Sequence, residues 1–172
     1  ISFVSIESQI IINKFKPDLA IVYADRYESF AYALSVFHNN IPLLHIEAGD
    51  ITNGGTFDDQ IRHCISKISH LHACSTKKGT NVLRRLGEEP WRIKQIGLLS
   101  YEDMKFLPLD VSLNVSDELK LNRDKPLIIG TLHPIPRFPE ITKTEVKEMI
   151  EGLKKFSQSV EVDIIITAPN ND

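Results

Sequence analysis

Short apolar runs of strand length alternate with stretches whose apolar residues recur at helical spacing. DLAIVYA (18–24) lies between Pro17 and Asp25-Arg26 and reads as a buried parallel strand. YESFAYALSVFH (27–38) has the period of a helix, and PLLHIE (42–47) is the next strand. DDQIRHCISKIS (58–69) reads as a helix, with Thr56 or Asp58 as its N-cap. HLHACST (70–76) is a third strand. Lys77–Leu86 is a helix stopped by Gly87, and RIKQIG (92–97) is a fourth, shorter strand. Strands separated by helices of this length predict right-handed βαβ units and a parallel sheet.

The rhythm breaks over 100–125, a polar stretch with Pro108, Asn114, Asn122 and Asp124 that reads as a linker with at most a short helix. It resumes with a strand at 126–134, a helix at 141–159 and a strand at 162–169. The expected organisation is therefore 1–105 as part of one α/β domain, and 106–172 as a linker and the opening of a second. No internal repeat is visible. Ile1 as first residue, and a last strand with no helix after it, lead us to expect a piece of a longer protein, cut at both ends.

Composition narrows the function classes. The 172 residues carry a formal net charge of −3, which offers no basic face for nucleic acid. LAIVYA and LIIGTL fall far short of the roughly 20 apolar residues that a membrane helix needs. Cys64 and Cys74 lack metal-type spacing and read as two reduced thiols of a cytoplasmic protein.

The segment HIEAGDITNGGTFDDQIRH (45–63) is the hardest to explain as plain scaffold. It sets Glu47, Asp50, Asp58 and Asp59 around Gly54-Gly55 and closes on Arg62-His63. In open parallel sheets, ligands sit beyond the carboxyl ends of the strands. Asp25-Arg26, Glu47 to Asp50, and His133-Pro134 all fall at such ends. Asp25 and Glu47 are one strand-helix-strand unit apart, which places both acids at the same edge. Crowded carboxylates repel one another, and that makes acid/base roles feasible. Arg62 can pair with those acids or with a ligand phosphate.

Each feature also has a bland reading. Asp25 can cap a turn, and Asp58 and Asp59 can serve the helix terminus alone. His38 reads as a surface residue, and His45 as a partner of backbone groups. His45, His63, His70 and His72 suggest zinc, but no completing ligand pattern accompanies them. Trp91 reads as an anchor packing a loop on the sheet.

YADRYES (23–29), HIEAGDITNGGTFDDQIRHCISKISHLHACST (45–76), GEEPWRIKQIGL (87–98), HPIP (133–136) and APNND (168–172) together resemble the UDP-N-acetylglucosamine 2-epimerases, above all the hydrolysing branch that feeds sialic-acid biosynthesis. The resemblance implies a glycosyltransferase-B-like architecture of two Rossmann-like domains, here incomplete at both ends. It implies conversion of UDP-N-acetylglucosamine and water to N-acetylmannosamine and UDP, by elimination to 2-acetamidoglucal and then hydration. It calls for no cofactor and no metal, and suggests a homodimer or higher homo-oligomer. Carried onto this chain, Asp25 matches the acid after the family's first strand. Glu47 matches the catalytic glutamate of the non-hydrolysing branch, and Asp50 falls where many hydrolysing members have an acid of their own. Asp58 matches the acid before the Arg-His pair, and His133 the histidine opening the second domain. Arg26, Arg62, His63 and Asn170 are expected to bind substrate, with Arg62 also organising the acids.

The departures are specific. Ala24 stands where the family usually has glycine, and in LLSYED only Asp103 loosely matches a usual aspartate. Other readings stay open: the non-hydrolysing branch, a non-catalytic nucleotide-sugar-binding module, a glycosyltransferase, or a UDP-2,4-diacetamido-trideoxyhexose as substrate.

Overall fold

The structure is a computed structural model and describes residues 1–52, 57–106, 117–122, 124–133 and 139–168. Contacts divide the chain into two units, Ile1–Phe106 and Leu107–Asp172.

The first unit contains α1 (Ser2–Phe15), β1 (Ala20–Tyr23), α2 (Tyr27–His38), β2 (Leu43–Ile46), α3 (Phe57–Ile68), β3 (Leu71–Cys74), α4 (Lys77–Arg85), a 3-10 turn (Pro90–Arg92), β4 (Ile93–Gln95) and α5 (Leu99–Met104). Its four strands are all parallel, in the order β1-β2-β3-β4. With right-handed crossovers, an order that never reverses puts α2, α3 and α4 on one face. The burial pattern agrees. Ala20, Val22, Leu43 and His45 turn toward α2 and α3 and are buried, whereas Ile21 and Tyr23 on the other face of β1 are exposed. Ala33, Val36, Ile61 and Ile65 complete that core, and Ala48, Cys74 and Leu83 form a smaller one under α4.

Two features depart from the reading of the chain, one unread and one corrected. Helix α1 packs on α2 through buried Ser8 and Ile12 and through paired amide hydrogen bonds between Gln9 and Asn39. Its Phe3, Ile6, Ile10, Ile11 and Phe15 are exposed, so it has no apolar stripe of helical period to announce it. Trp91 is 73% exposed and anchors nothing on the sheet, contrary to expectation. Its place in the 3-10 turn after Pro90 aims the indole outward, while Arg92 reaches back to the carbonyls of Ser69 and His70.

The second unit consists of β5 (Leu127–Gly130), α6 (Pro139–Ser159) and β6 (Asp163–Ile166), one parallel βαβ unit pairing Leu127 with Asp163 through Gly130 with Ile166. No helix among the described residues is long and apolar enough to cross a membrane.

Candidate active site at the carboxyl rim of the sheet

Parallel register decides which side chains meet. Tyr23 pairs with Ile46, and the Ala24 amide donates to the Ile46 carbonyl at 3.0 Å. Asp25 and Glu47 therefore leave β1 and β2 at the same rim. Both exits use left-handed backbone at non-glycine residues, Ala24 at φ 56° and Glu47 at φ 60°. Such backbone costs about 1–2 kcal/mol per residue, and it persists where surrounding contacts over-determine it. At Ala24 this is a conformation that glycine would adopt without strain.

The contact that holds Ala24 is His45. Its Nε2 lies 2.8 Å from the Ala24 carbonyl, which can only accept, so Nε2 carries the proton. Nδ1, 3.0 Å from Ser66 Oγ, then accepts from the hydroxyl. Burial pushes the His45 imidazole down to about 4 and keeps it neutral. The unfolded chain takes up this proton near pH 6.5 and the folded chain only near 4. Between those values the unfolded form binds more protons. The contribution is fully present above pH 6.5 and is lost as pH falls through 4. It amounts to about 3 kcal/mol over that window, at ~1.4 kcal/mol per unit. Hydrogen-exchange protection of the β1 and β2 amides is expected to fall across this range. The His45-dependent part of the slope should vanish in His45→Gln.

Arg62 is the organiser of the rim. It rises from the second turn of α3 and is 8% exposed. Nη2 pairs with Asp25 Oδ2. Nη1 donates to the Asp50 carbonyl at 2.7 Å and to Asp59 Oδ1 at 3.1 Å. Asp59 Oδ1 also accepts the Thr52 amide at 2.7 Å. One guanidinium thus ties together the β1 exit, the β2 exit and the start of α3. Burial lowers its proton affinity from the usual arginine value.

The structure distributes the other expected residues unevenly. Glu47 accepts a hydrogen bond from the Tyr23 hydroxyl at 2.5 Å. Asp50 meets Arg62 only through its carbonyl. Its carboxylate accepts from Thr76 Oγ1 at 3.2 Å, where Thr76 caps α4 through the Gly79 amide. The approach is close, since a Cβ on Gly49 would sit 2.4 Å from the Gly79 carbonyl oxygen. Gly49, at φ 82°, is therefore required for both space and conformation.

Asp58 is half-buried inside the first turn of α3, which begins at Phe57, so it is not the cap expected of it. Thr56, the other cap candidate, and Gly54-Gly55 lie outside the described residues. Asp59 rather than Asp58 pairs with Arg62, at the three-residue spacing that makes side chains neighbours on a helix. His63 is half-buried, and burial lowers its proton affinity. Its Nδ1 is enclosed without a hydrogen-bond partner among the described residues. Arg26 occupies the N-cap position of α2, exposed, with Glu28 at 3.3 Å. His133 is exposed, three residues beyond β5 in the second unit, and Asn170 lies outside the described residues.

Two groups escaped the reading of the chain. Tyr23 lies within the quoted YADRYES but drew no role. Glu88 is buried at the opposite, amino-terminal side of the sheet. It pairs there with Lys67 at 2.6 Å, Arg92 at 3.1 Å and His72 at 3.2 Å. Burial pulls the Glu88 carboxyl up, but the Lys67 hydrogen bond and the surrounding positive charge hold it below its ordinary value. Far from the acid rim, this network ties α3 to the segment between α4 and β4.

Two strained strand exits stand side by side, each carries an acid, and a buried arginine ties the two exits together. The family model of the UDP-N-acetylglucosamine 2-epimerases matches residues 2–172, and the chain belongs to that family. It is 35% identical over 157 residues to the hydrolysing GDP/UDP-N,N'-diacetylbacillosamine 2-epimerase of Campylobacter jejuni, covering 91% of this chain and 40% of that protein. It is 28% identical over 156 residues to the hydrolysing UDP-N,N'-diacetylbacillosamine 2-epimerase of Legionella pneumophila, again covering 91% and 40%. The chain thus spans about 40% of the length of these curated relatives. Among solved structures, S. aureus MnaA with UDP superposes with a TM-score of 0.82 at 20% identity, covering 99% of this chain and 45% of that one. The UDP-N-acetylglucosamine 2-epimerase of Rickettsia bellii gives 0.80 at 21%, covering 99% and 44%. The fold is that of the glycosyltransferase-B-type 2-epimerases, as the motifs imply.

Proposed function

We propose that the protein carrying this chain is a hydrolysing UDP-N-acetylglucosamine 2-epimerase, converting UDP-N-acetylglucosamine and water to N-acetylmannosamine and UDP. The observation that carries the reading is the shared rim. Asp25 and Glu47 leave neighbouring strands side by side, with Asp25 locked to Arg62 and Glu47 to Tyr23. Elimination takes the C2 proton from the sugar, forms the C1–C2 double bond and expels UDP with the electron pair of the C1–O bond. Hydration then adds water oxygen at C1 and a proton at C2 on the opposite face. Each proton transfer needs a positioned carboxyl or carboxylate, and two anchored acids at one edge supply them. Arg26, Arg62 and His63 are proposed to hold the nucleotide sugar. Cationic groups near the pyrophosphate would assist its departure.

The identities favour a second substrate. The two relatives described above are hydrolysing epimerases of diacetylbacillosamine nucleotides, so a UDP-2,4-diacetamido-trideoxyhexose is the alternative sugar. Incubation of the complete protein with each UDP-sugar in deuterated water, followed by NMR, separates the cases. Free 2-epimerised sugar carrying deuterium at C2, together with UDP, is the expected product. An epimerised sugar still joined to UDP would assign the non-hydrolysing branch. Absence of both deuterium exchange and UDP release with both sugars would rule the reading out.

A further inference from the structure

We propose that Tyr23 is a positioning residue for Glu47, its phenol holding the carboxylate at the orientation that proton transfer requires. The inference rests on the reading above and deepens it at one side chain. Tyr23 ends β1 on the face away from α2 and α3, with 47% of its surface exposed. A tyrosine placed there adds little to the core. What it does touch is Glu47, through a 2.5 Å hydrogen bond. The register brings the two residues within reach. Tyr23 sits opposite Ile46, so its ring stands beside the first residue beyond β2.

Glu47 needs such a partner. Its backbone leaves the strand at φ 60°, and three side-chain torsions would otherwise let the carboxylate swing about the rim. A carboxylate that moves a proton must aim one lone pair at the reacting C–H. A misplacement of about 1 Å costs on the order of 10²-fold in rate. The phenol is rigid and donates to one oxygen only, Oε1, so it selects which oxygen is presented to the rim. A short O–H···O contact to a charged acceptor is of the strong, charge-assisted kind. The hydrogen bond to Glu47, with burial and the nearby negative charge, pushes the Tyr23 phenol up to about 12. The group therefore stays a donor throughout the range in which an enzyme works. The Ser29 hydroxyl donates to the Tyr23 carbonyl at 3.0 Å and steadies the same residue from the backbone side.

The test is made in the complete protein with two independent readouts. Tyr23→Phe keeps the ring and removes only the hydroxyl. It should lower kcat by about 10–100-fold and leave KM within about threefold, the pattern of an interaction realised in the transition state. A kcat equal to wild type overturns the proposal. The second readout needs no turnover. With tyrosines carbon-13 labelled at Cζ, and the Tyr23 signal assigned by its absence in Tyr23→Phe, the phenol should remain protonated at about pH 11 in wild type. In Glu47→Gln, which removes the neighbouring negative charge, it should ionise at a lower pH than in wild type. Identical ionisation in the two proteins overturns the proposal whatever the kinetics show. If the wild-type protein turns over neither UDP-sugar, the functional reading fails, and the phenol signal alone then decides whether Tyr23 holds Glu47.

Discussion

Glu47→Gln and Asp25→Asn, made singly in the complete protein, should each reduce turnover by roughly 10²–10⁴-fold, the range that a positioned acid or base contributes. The two losses have different origins. Gln keeps the shape of Glu47 and can still accept from the Tyr23 hydroxyl at its amide oxygen, but it cannot take or give a proton. Its fold should be unchanged, because Glu47 is half-buried at a strand exit and bonded to one exposed tyrosine. Asp25→Asn removes the charge facing Arg62 and leaves the guanidinium with Asp59 and the Asp50 carbonyl. That variant should lose some stability as well as rate. The comparison is made by measuring UDP release under saturating substrate, with UDP affinity and amide-exchange protection recorded beside it. Near-normal rates in both variants would move the chemistry away from this rim. A loss confined to Asp25→Asn, matched by weakened protection, would make Asp25 a structural partner of Arg62 and leave Glu47 without a proton role.

Much of this site was legible in the chain because parallel sheets convert sequence spacing into position. Asp25 and Glu47 follow successive strands, and a parallel ladder puts successive strand ends at one edge. The amphipathic period likewise marked α2, α3 and α4, whose buried residues recur at three- and four-residue steps. The choice of partners was less legible. Whether Asp58 or Asp59 meets Arg62 depends on where α3 begins and on its phase, and one residue of difference rotates a side chain by about 100°. Asp58 at four residues and Asp59 at three are both helix neighbours of Arg62, so the spacing alone did not choose between them. Tyr23 was hidden because an aromatic at the end of a β-rich run reads as packing, and only the register with Ile46 brings it to Glu47. Glu88 was hidden for the opposite reason. In GEEPWR it looks like a solvated turn acid, yet three basic groups from α3, β3 and the 3-10 turn close over it.

Arg62 is where stability and function join, and Arg62→Met should show the largest loss of stability of any single change at the rim. Methionine fills a similar volume along the helix but donates nothing. Asp25 and Asp59 would then face each other with side chains only 18% exposed, and the Asp50 carbonyl would lose its donor. Removing one partner from a buried ion pair costs about 3–5 kcal/mol, because the remaining charges stay desolvated and uncompensated. Hydrogen exchange reads this directly, since about 1.4 kcal/mol corresponds to a tenfold change in protection. Protection of the β1 and β2 amides should fall by roughly two to four orders of magnitude. The amides of the second unit, Leu127–Gly130 and Asp163–Ile166, should be far less affected. Arg62→Lys separates charge from geometry. An ammonium can neutralise one acid but cannot span Asp25, Asp59 and the Asp50 carbonyl as the planar fork does. It should recover part of the stability and little of the turnover. If Arg62→Met left protection unchanged, the buried arginine would not be what draws the two strand exits together, and the β1–β2 register with the strained turns would align Asp25 with Glu47 unaided.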